Sequence, residues 1–182
     1  MKSVKINDSE VESIKILLIG LANSGKTSIL TCLKGIKHIS AFNSPMPTKG
    51  VDVQQFEALN SKYAVWDIGG QKTFLEEFFN DSNGYLREAS KIIYVIDVQD
   101  VGRYEEAIEY LERVIDSIGK NRNIDFSIFL HKFDPDIKFN QELNEEVIKN
   151  LIKKIKEIIS PKFLYSLYKT SIYAIFEKAT II

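Results

Sequence analysis

Cysteine is nearly absent: Cys32 stands alone among 182 residues, so no internal disulfide can form and a reducing intracellular compartment is expected. A buried, inert thiol is its expected role. A basic excess is also missing, with 24 Lys and Arg against 25 Asp and Glu, which argues against nucleic acid as a partner. No apolar run approaches the roughly 20 residues needed to span a bilayer, and the opening MKSVKINDSEVES is too polar for a signal peptide. Position 2 is Lys2 rather than Gly, and the closing KATII holds no cysteine, so the usual myristoyl and prenyl signals are lacking. A soluble, cytoplasmic chain without an intrinsic membrane anchor is expected, any recruitment to membranes falling to a partner. No repeat, low-complexity tract or linker interrupts it. One domain over residues 1–182 follows, with 1–13 a short polar extension.

What is present is an alternation of two periodicities. Apolar runs of strand length occupy Ile14–Ile19, Val51–Glu57, Tyr63–Asp67, Lys91–Val98, Asp125–Leu130 and Phe163–Leu167. KIIYVID is almost continuously apolar, as befits a central strand covered on both faces. Helical spacing marks Lys26–Leu33, Tyr104–Gly119 and Glu142–Ile159, with a short last helix from Tyr173. The lysines at 149, 153, 154 and 156 fall opposite the apolar stripe of the third helix and read as a solvated face. Strands alternating with helices predict an α/β fold: a six-stranded, mostly parallel sheet with helices on both faces. The short ALNSK linker makes Val51–Glu57 and Tyr63–Asp67 a hairpin, giving one antiparallel edge strand.

Ligands in such sheets bind beyond the carboxyl ends of the strands, where the informative residues cluster. GLANSGKT, Gly20 to Thr27, follows the first strand and opens the first helix, fitting G-x-x-x-x-G-K-[ST]. Gly25 allows close backbone approach, and N–H groups from about Ala22 through Asn23 and Ser24 to Thr27 form an anion nest at the helix start. Lys26 is placed for β- and γ-phosphates and the Thr27 hydroxyl for Mg²⁺. WDIGGQ ends the second hairpin strand: Asp67 suits a metal held through water, Gly70 brings an N–H toward a γ-phosphate, and Gln71 is placed to orient an attacking water. Between them runs HISAFNSPMPTKG, in which Thr48 offers a hydroxyl to complete the metal shell and His38 reads as a solvated loop residue. The aromatics after Gln71, namely Phe74, Phe78, Phe79 and Tyr85, read mostly as packing under that loop.

FLHKFD, after the fifth run, supplies the base end. The Asp134 carboxylate accepts two hydrogen bonds, matching guanine N1–H and its 2-amino group, a pair adenine lacks. The stem of Lys132 suits the base plane. The stretch TSI, Thr170 to Ile172, offers backbone N–H groups to the guanine O6.

These segments in this order resemble the Ras-superfamily small GTPases over nearly the whole chain. GLANSGKT, the PTKG spacing and WDIGGQ look like the Arf branch; IYVIDVQD, FLHKFD and YKTSIYAIFEK look more like the Rag/Gtr GTPases, where His commonly replaces the first Asn of the base motif. The resemblance implies a P-loop small-GTPase fold, with Ala22 to Ser28 on the phosphates, and Thr27, Thr48 and Asp67 around Mg²⁺. It further implies Gly70 at the γ-phosphate, Gln71 as the catalytic residue, and His131, Lys132, Asp134, Ser171 and Ile172 in the base-binding motifs. Two departures stand out. Rag/Gtr proteins carry a further C-terminal dimerisation domain, for which there is no counterpart, and MKSVKINDSEVES does not resemble the N-terminal amphipathic helix usual in Arf proteins.

The expectation is a GTP/GDP switch with slow Mg²⁺-dependent hydrolysis, on the order of 10⁻⁴ to 10⁻³ per second, because no arginine is evidently placed to enter the site in cis. GTPase-activating, exchange and effector proteins are the implied partners, and pairing with itself or another GTPase stays open. The alternative is a non-hydrolysing, Rag-like subunit of a heterodimer or scaffold. A P-loop ATPase or small-molecule kinase is disfavoured by Asp134.

Overall fold

The structure is a computed structural model that describes residues 13–35, 46–58, 61–119, 123–135, 137, 140, 142–159 and 164–173. The extension up to residue 12, His38 and the helix expected after Tyr173 lie outside the described residues. The element order is β1 (Ser13–Ile19), α1 (Lys26–Leu33), β2 (Val51–Ala58), β3 (Ser61–Ile68), α2 (Lys72–Asn80), α3 (Ser82–Leu86), β4 (Ala89–Asp97), α4 (Tyr104–Ile118), β5 (Asp125–His131), α5 (Glu145–Ile159) and β6 (Ser166–Lys169).

The six strands form one sheet in the order β2-β3-β1-β4-β5-β6. Only β2 and β3 run antiparallel, paired from Val51 with Ile68 to Ala58 with Ser61. The rest are parallel. Alternation along the strands splits the core between two faces. Leu17, Ile19, Ile92, Tyr94, Ile96, Phe126 and Ile128 pack with buried side chains of α2, α3, α4 and α5. Ile16, Leu18, Val65, Ile93 and Val95 pack with Ile29 and Leu30 of α1. The Tyr94 hydroxyl, fully buried, donates to the Ala107 carbonyl at 2.7 Å and pins α4 to β4.

Helix limits follow local chemistry. α4 stops where Gly119 takes φ 65°, as its C-terminal glycine suggested. α5 begins three residues later than expected because the Asn144 side chain accepts the Val147 N–H at 3.0 Å and caps it there. Strand β6 lies three residues beyond its expected start: pairing of Ser127–Leu130 with Ser166–Lys169 sets its place, and the apolar Leu164 is left exposed. The α2 and α3 helices were not anticipated. The signal for α2 was the spacing of Phe74, Leu75, Phe78 and Phe79; Leu75 and Phe78 are buried while Phe74 and Phe79 are half-buried. Cys32, expected inside, is exposed near the end of α1.

Candidate functional site

The loop after β1 is shaped by close backbone approaches. A Cβ on Gly20 would lie 2.3 Å from the Val95 carbonyl oxygen, and Gly25, at φ 95°, turns the chain into α1. The first N–H groups of that helix, Lys26 to Ser28, have no intrahelical acceptor and face outward as a donor set. Ala22 does not contribute, because its N–H already donates to the Gly70 carbonyl at 2.8 Å. Ser24 is buried behind the loop rather than in its mouth, with its hydroxyl unpartnered.

A cavity of about 350 Å³ opens over this loop, lined by Ala22, Asn23, Gly25, Lys26, Thr27, Ser28, Thr48, Gly70, Gln71 and Lys132, with Met46 and Pro47 at its side. Lys26 is buried, and its ammonium donates to the Gly20 and Leu21 carbonyls at 2.8 and 2.9 Å. Desolvation lowers its pKa to about 8, against the pull of Asp67. An ammonium has three donors, so one remains for an anion in the cavity.

Three oxygen-bearing side chains meet beneath it. Thr27 Oγ1 donates to Asp67 Oδ2 at 2.6 Å, Thr48 Oγ1 reaches the same oxygen at 3.1 Å, and the two hydroxyls lie 3.1 Å apart. Asp67 is fully buried and its Oδ1 has no hydrogen-bond partner. Burial raises its pKa; the Thr27 bond and Lys26 oppose the rise. An orphaned carboxylate oxygen at such depth costs free energy, and a hard cation is the natural group to offset it. One carboxylate with two hydroxyls is the kind of protein set that Mg²⁺ takes alongside substrate phosphates. No group of three or more His, Cys, Asp or Glu able to hold a metal forms among the described residues. The set of one carboxylate and two hydroxyls fits Mg²⁺.

Gly70 sits against the phosphate-binding loop so closely that a Cβ would lie 2.4 Å from the Ala22 nitrogen. Gln71 follows as the residue before α2; its carbonyl accepts from Phe74 and Leu75, while its exposed side chain does not cap the helix and lines the cavity. Arg103, which the sequence did not mark, approaches the loop from another side. Its guanidinium donates to the Ala22 carbonyl at 3.1 Å and pairs with Asp100, and it does not line the cavity.

At the base end the expected residues converge, with one correction. His131 does not line the cavity: it is 2% exposed, its Nδ1 lies 2.9 Å from the Thr170 hydroxyl, and its ring fills the space beside Gly25. As the last residue of β5 it packs beneath the phosphate loop, against Gly25. Burial drives its pKa down to about 4, so it is neutral at physiological pH. Lys132 lines the cavity with its ammonium held by Asp97 at 2.6 Å. Asp134 accepts from Ser171 at 2.5 Å and from Gln99 at 3.1 Å. Ile172 follows, half-buried. Asp97 and Gln99 belong to IYVIDVQD; their signal was that this segment ends a central strand at the same sheet edge.

Comparison with known proteins agrees with this geometry. The sequence pattern described as the ADP-ribosylation factor family matches residues 2–171. The chain is 35% identical over 115 residues to ADP-ribosylation factor-like protein alp41 of Schizosaccharomyces pombe, an alignment covering 63% of this chain and 56% of that protein. It is 34% identical over 132 residues to ADP-ribosylation factor-like protein 2 of Dictyostelium discoideum, covering 72% and 66%. The matched stretches thus span less than two thirds of these relatives. Among solved structures, the Arl6 (BBS3) small GTPase from Trypanosoma brucei, with bound nucleotide analogue GppNp, superposes with a TM-score of 0.68 over 88% of each chain at 21% identity, which shows a shared fold. These matches do not favour the Rag-like alternative. With the family pattern running through all but the last residues of the chain, this protein is a member of the ADP-ribosylation factor (Arf) family.

Proposed function

We propose that the protein is a GTP/GDP switch that hydrolyses GTP slowly in the presence of Mg²⁺. The observation that carries the reading is the convergence of Thr27, Thr48 and Asp67 at the mouth of the phosphate loop, with Asp67 Oδ1 buried and unpartnered. Thr27, Thr48 and Asp67 would hold the Mg²⁺, whose bound charge offsets that developing on the phosphates.

The rest is done by the chain itself. The open N–H groups at the start of α1 cradle phosphate oxygens, and the third donor of Lys26 reaches the terminal ones. Gln71, at the cavity wall and not spent on capping, orients the attacking water, and the Gly70 N–H, also at that wall, would sense a γ-phosphate. Thr48 comes from the segment before β2, so its link to Asp67 ties the state of that segment to the nucleotide. Asp134 and Lys132 read guanine, with Ser171 and Ile172 beside them. Arg103 is spent on Ala22 and Asp100, and among the described residues no arginine lines the cavity; intrinsic turnover on the order of 10⁻⁴ to 10⁻³ per second is expected. Activating, exchange and effector proteins are the implied partners. No helix among the described residues is long and apolar enough to cross a membrane.

Chromatography of the nucleotide released on denaturation, followed by single-turnover GTP hydrolysis with Mg²⁺, tests the proposal. Guanine nucleotide and slow phosphate release, reduced at least about ten-fold by Gln71→Leu, are expected. Bound guanine nucleotide with equal, negligible rates in both proteins would leave a binding subunit rather than an enzyme.

A further inference from the structure

Beyond β4 the chain passes Val98 and Gln99 over the end of β5, and the polar groups there form a closed set. The Gln99 backbone N–H donates to Asp97 Oδ1 at 3.0 Å, and the other Asp97 oxygen accepts the Lys132 ammonium at 2.6 Å. The Gln99 side-chain amide has two N–H donors and places one on each side of the base motif: Nε2 lies 2.8 Å from the Lys132 carbonyl and 3.1 Å from Asp134 Oδ2. Lys132 adopts φ 61°, a conformation that a residue with a side chain takes only when its surroundings hold it, and Gln99 grips the carbonyl of that peptide. Ser171 donates to the other Asp134 oxygen at 2.5 Å.

A carboxylate offers about four lone-pair sites, two on each oxygen. Gln99 takes one on Oδ2 and Ser171 one on Oδ1, so each oxygen keeps one acceptor site. Guanine presents two donors along one edge, N1–H and the 2-amino group. The count matches only while the carboxylate is fixed in its plane, and of its two holders Gln99 alone also fixes the backbone two residues before it.

We propose that Gln99 is a positioning residue for base specificity. It does not touch the base; it locks Asp134 and the Lys132 peptide so that both carboxylate oxygens are presented together. The proposal rests on the guanine-nucleotide reading above. A bystander that only supports the loop would weaken every nucleotide alike, whereas a group that sets the carboxylate plane governs the added benefit of the 2-amino group.

The test is the affinity of the full chain for GDP, IDP and ADP in the wild type, Gln99→Ala and Gln99→Glu. IDP keeps N1–H and lacks the 2-amino group. Wild type is expected to prefer GDP over IDP by roughly ten- to hundred-fold, the range for a hydrogen bond to a charged acceptor. In Gln99→Ala that ratio should contract by about five-fold or more, GDP losing more than IDP. Gln99→Glu keeps the length but sets a second carboxylate against Asp134, and should contract it further. Because each ratio is read within one variant, a reduced folded fraction does not alter it. An unchanged GDP/IDP ratio in both variants, with or without a common loss of affinity, overturns the proposal alone. A wild type with no preference for GDP over ADP overturns the guanine reading and this proposal with it.

Discussion

Gly25→Ala is the substitution for which the structure supplies two separable costs. The backbone at Gly25 has φ 95°, a left-handed conformation that costs a residue with a Cβ about 1–2 kcal/mol. The added Cβ would also lie 2.4 Å from His131 Cδ2 and 2.8 Å from Nε2, inside any tolerated contact, and the ring is 2% exposed with its far nitrogen held by Thr170. Overpacking of this kind costs about 1–3 kcal/mol. The total expected loss is about 2–5 kcal/mol. In a His131→Ala background the steric part disappears and only the backbone part remains, so a double-mutant cycle should give a coupling of about 1–3 kcal/mol in favour of the double variant. The loss of the Thr170 partner is common to both His131→Ala proteins and cancels. Equilibrium urea unfolding of the four proteins, without nucleotide so that binding linkage does not enter, measures this directly. A Gly25→Ala cost that is the same with His131 or Ala at 131 would refute the contact, and with it the view that the base motif braces the phosphate loop through this ring.

The same histidine predicts an acid limb. Its folded pKa of about 4 lies below the ordinary 6.5, so the unfolded chain binds more protons between those values; stability is full above pH 6.5 and falls by about 3 kcal/mol as pH drops toward 4. Urea midpoints against pH should show that slope in the wild type and lose it in His131→Asn; parallel curves would contradict it. Asp67→Asn removes the buried charge that the Mg²⁺ is expected to offset, so chelation with EDTA, which should speed GDP release from the wild type, should leave release from the variant unchanged. A retained EDTA response would place the metal elsewhere. Phe78→Ala should cost about 3–5 kcal/mol, since Phe78 is fully buried on the inner face of α2; a loss under about 1 kcal/mol would mean that α2 is not packed as described.

Much of the site was legible because its chemistry is local in the chain. The phosphate loop joins a strand to a helix within eight residues, and Asp67, Gly70 and Gln71 lie within five, so residue type and spacing alone identified them. Thr48 was harder, since nothing along the chain fixes where a proline-bearing loop folds; it is the reach across to Asp67 that places it beside Thr27. The helix α2 was hidden for a different reason: Phe74, Phe78 and Phe79, read as packing under a loop, together with Leu75 carry a helical spacing.

By itself the sequence determined the alternating strands and helices, the edge hairpin, the six-stranded sheet and most of the residues that gather around the cavity, because periodicity and short motifs are properties of neighbouring residues. Only the tertiary structure decided the register of β6 on β5, the burial of His131 against Gly25, and the bridge from Gln99 to Lys132 and Asp134. Each of these joins residues more than thirty positions apart. Sheet pairing brings such segments together, and where a side chain then finds its partners depends on the packed layers around it rather than on its own stretch of chain.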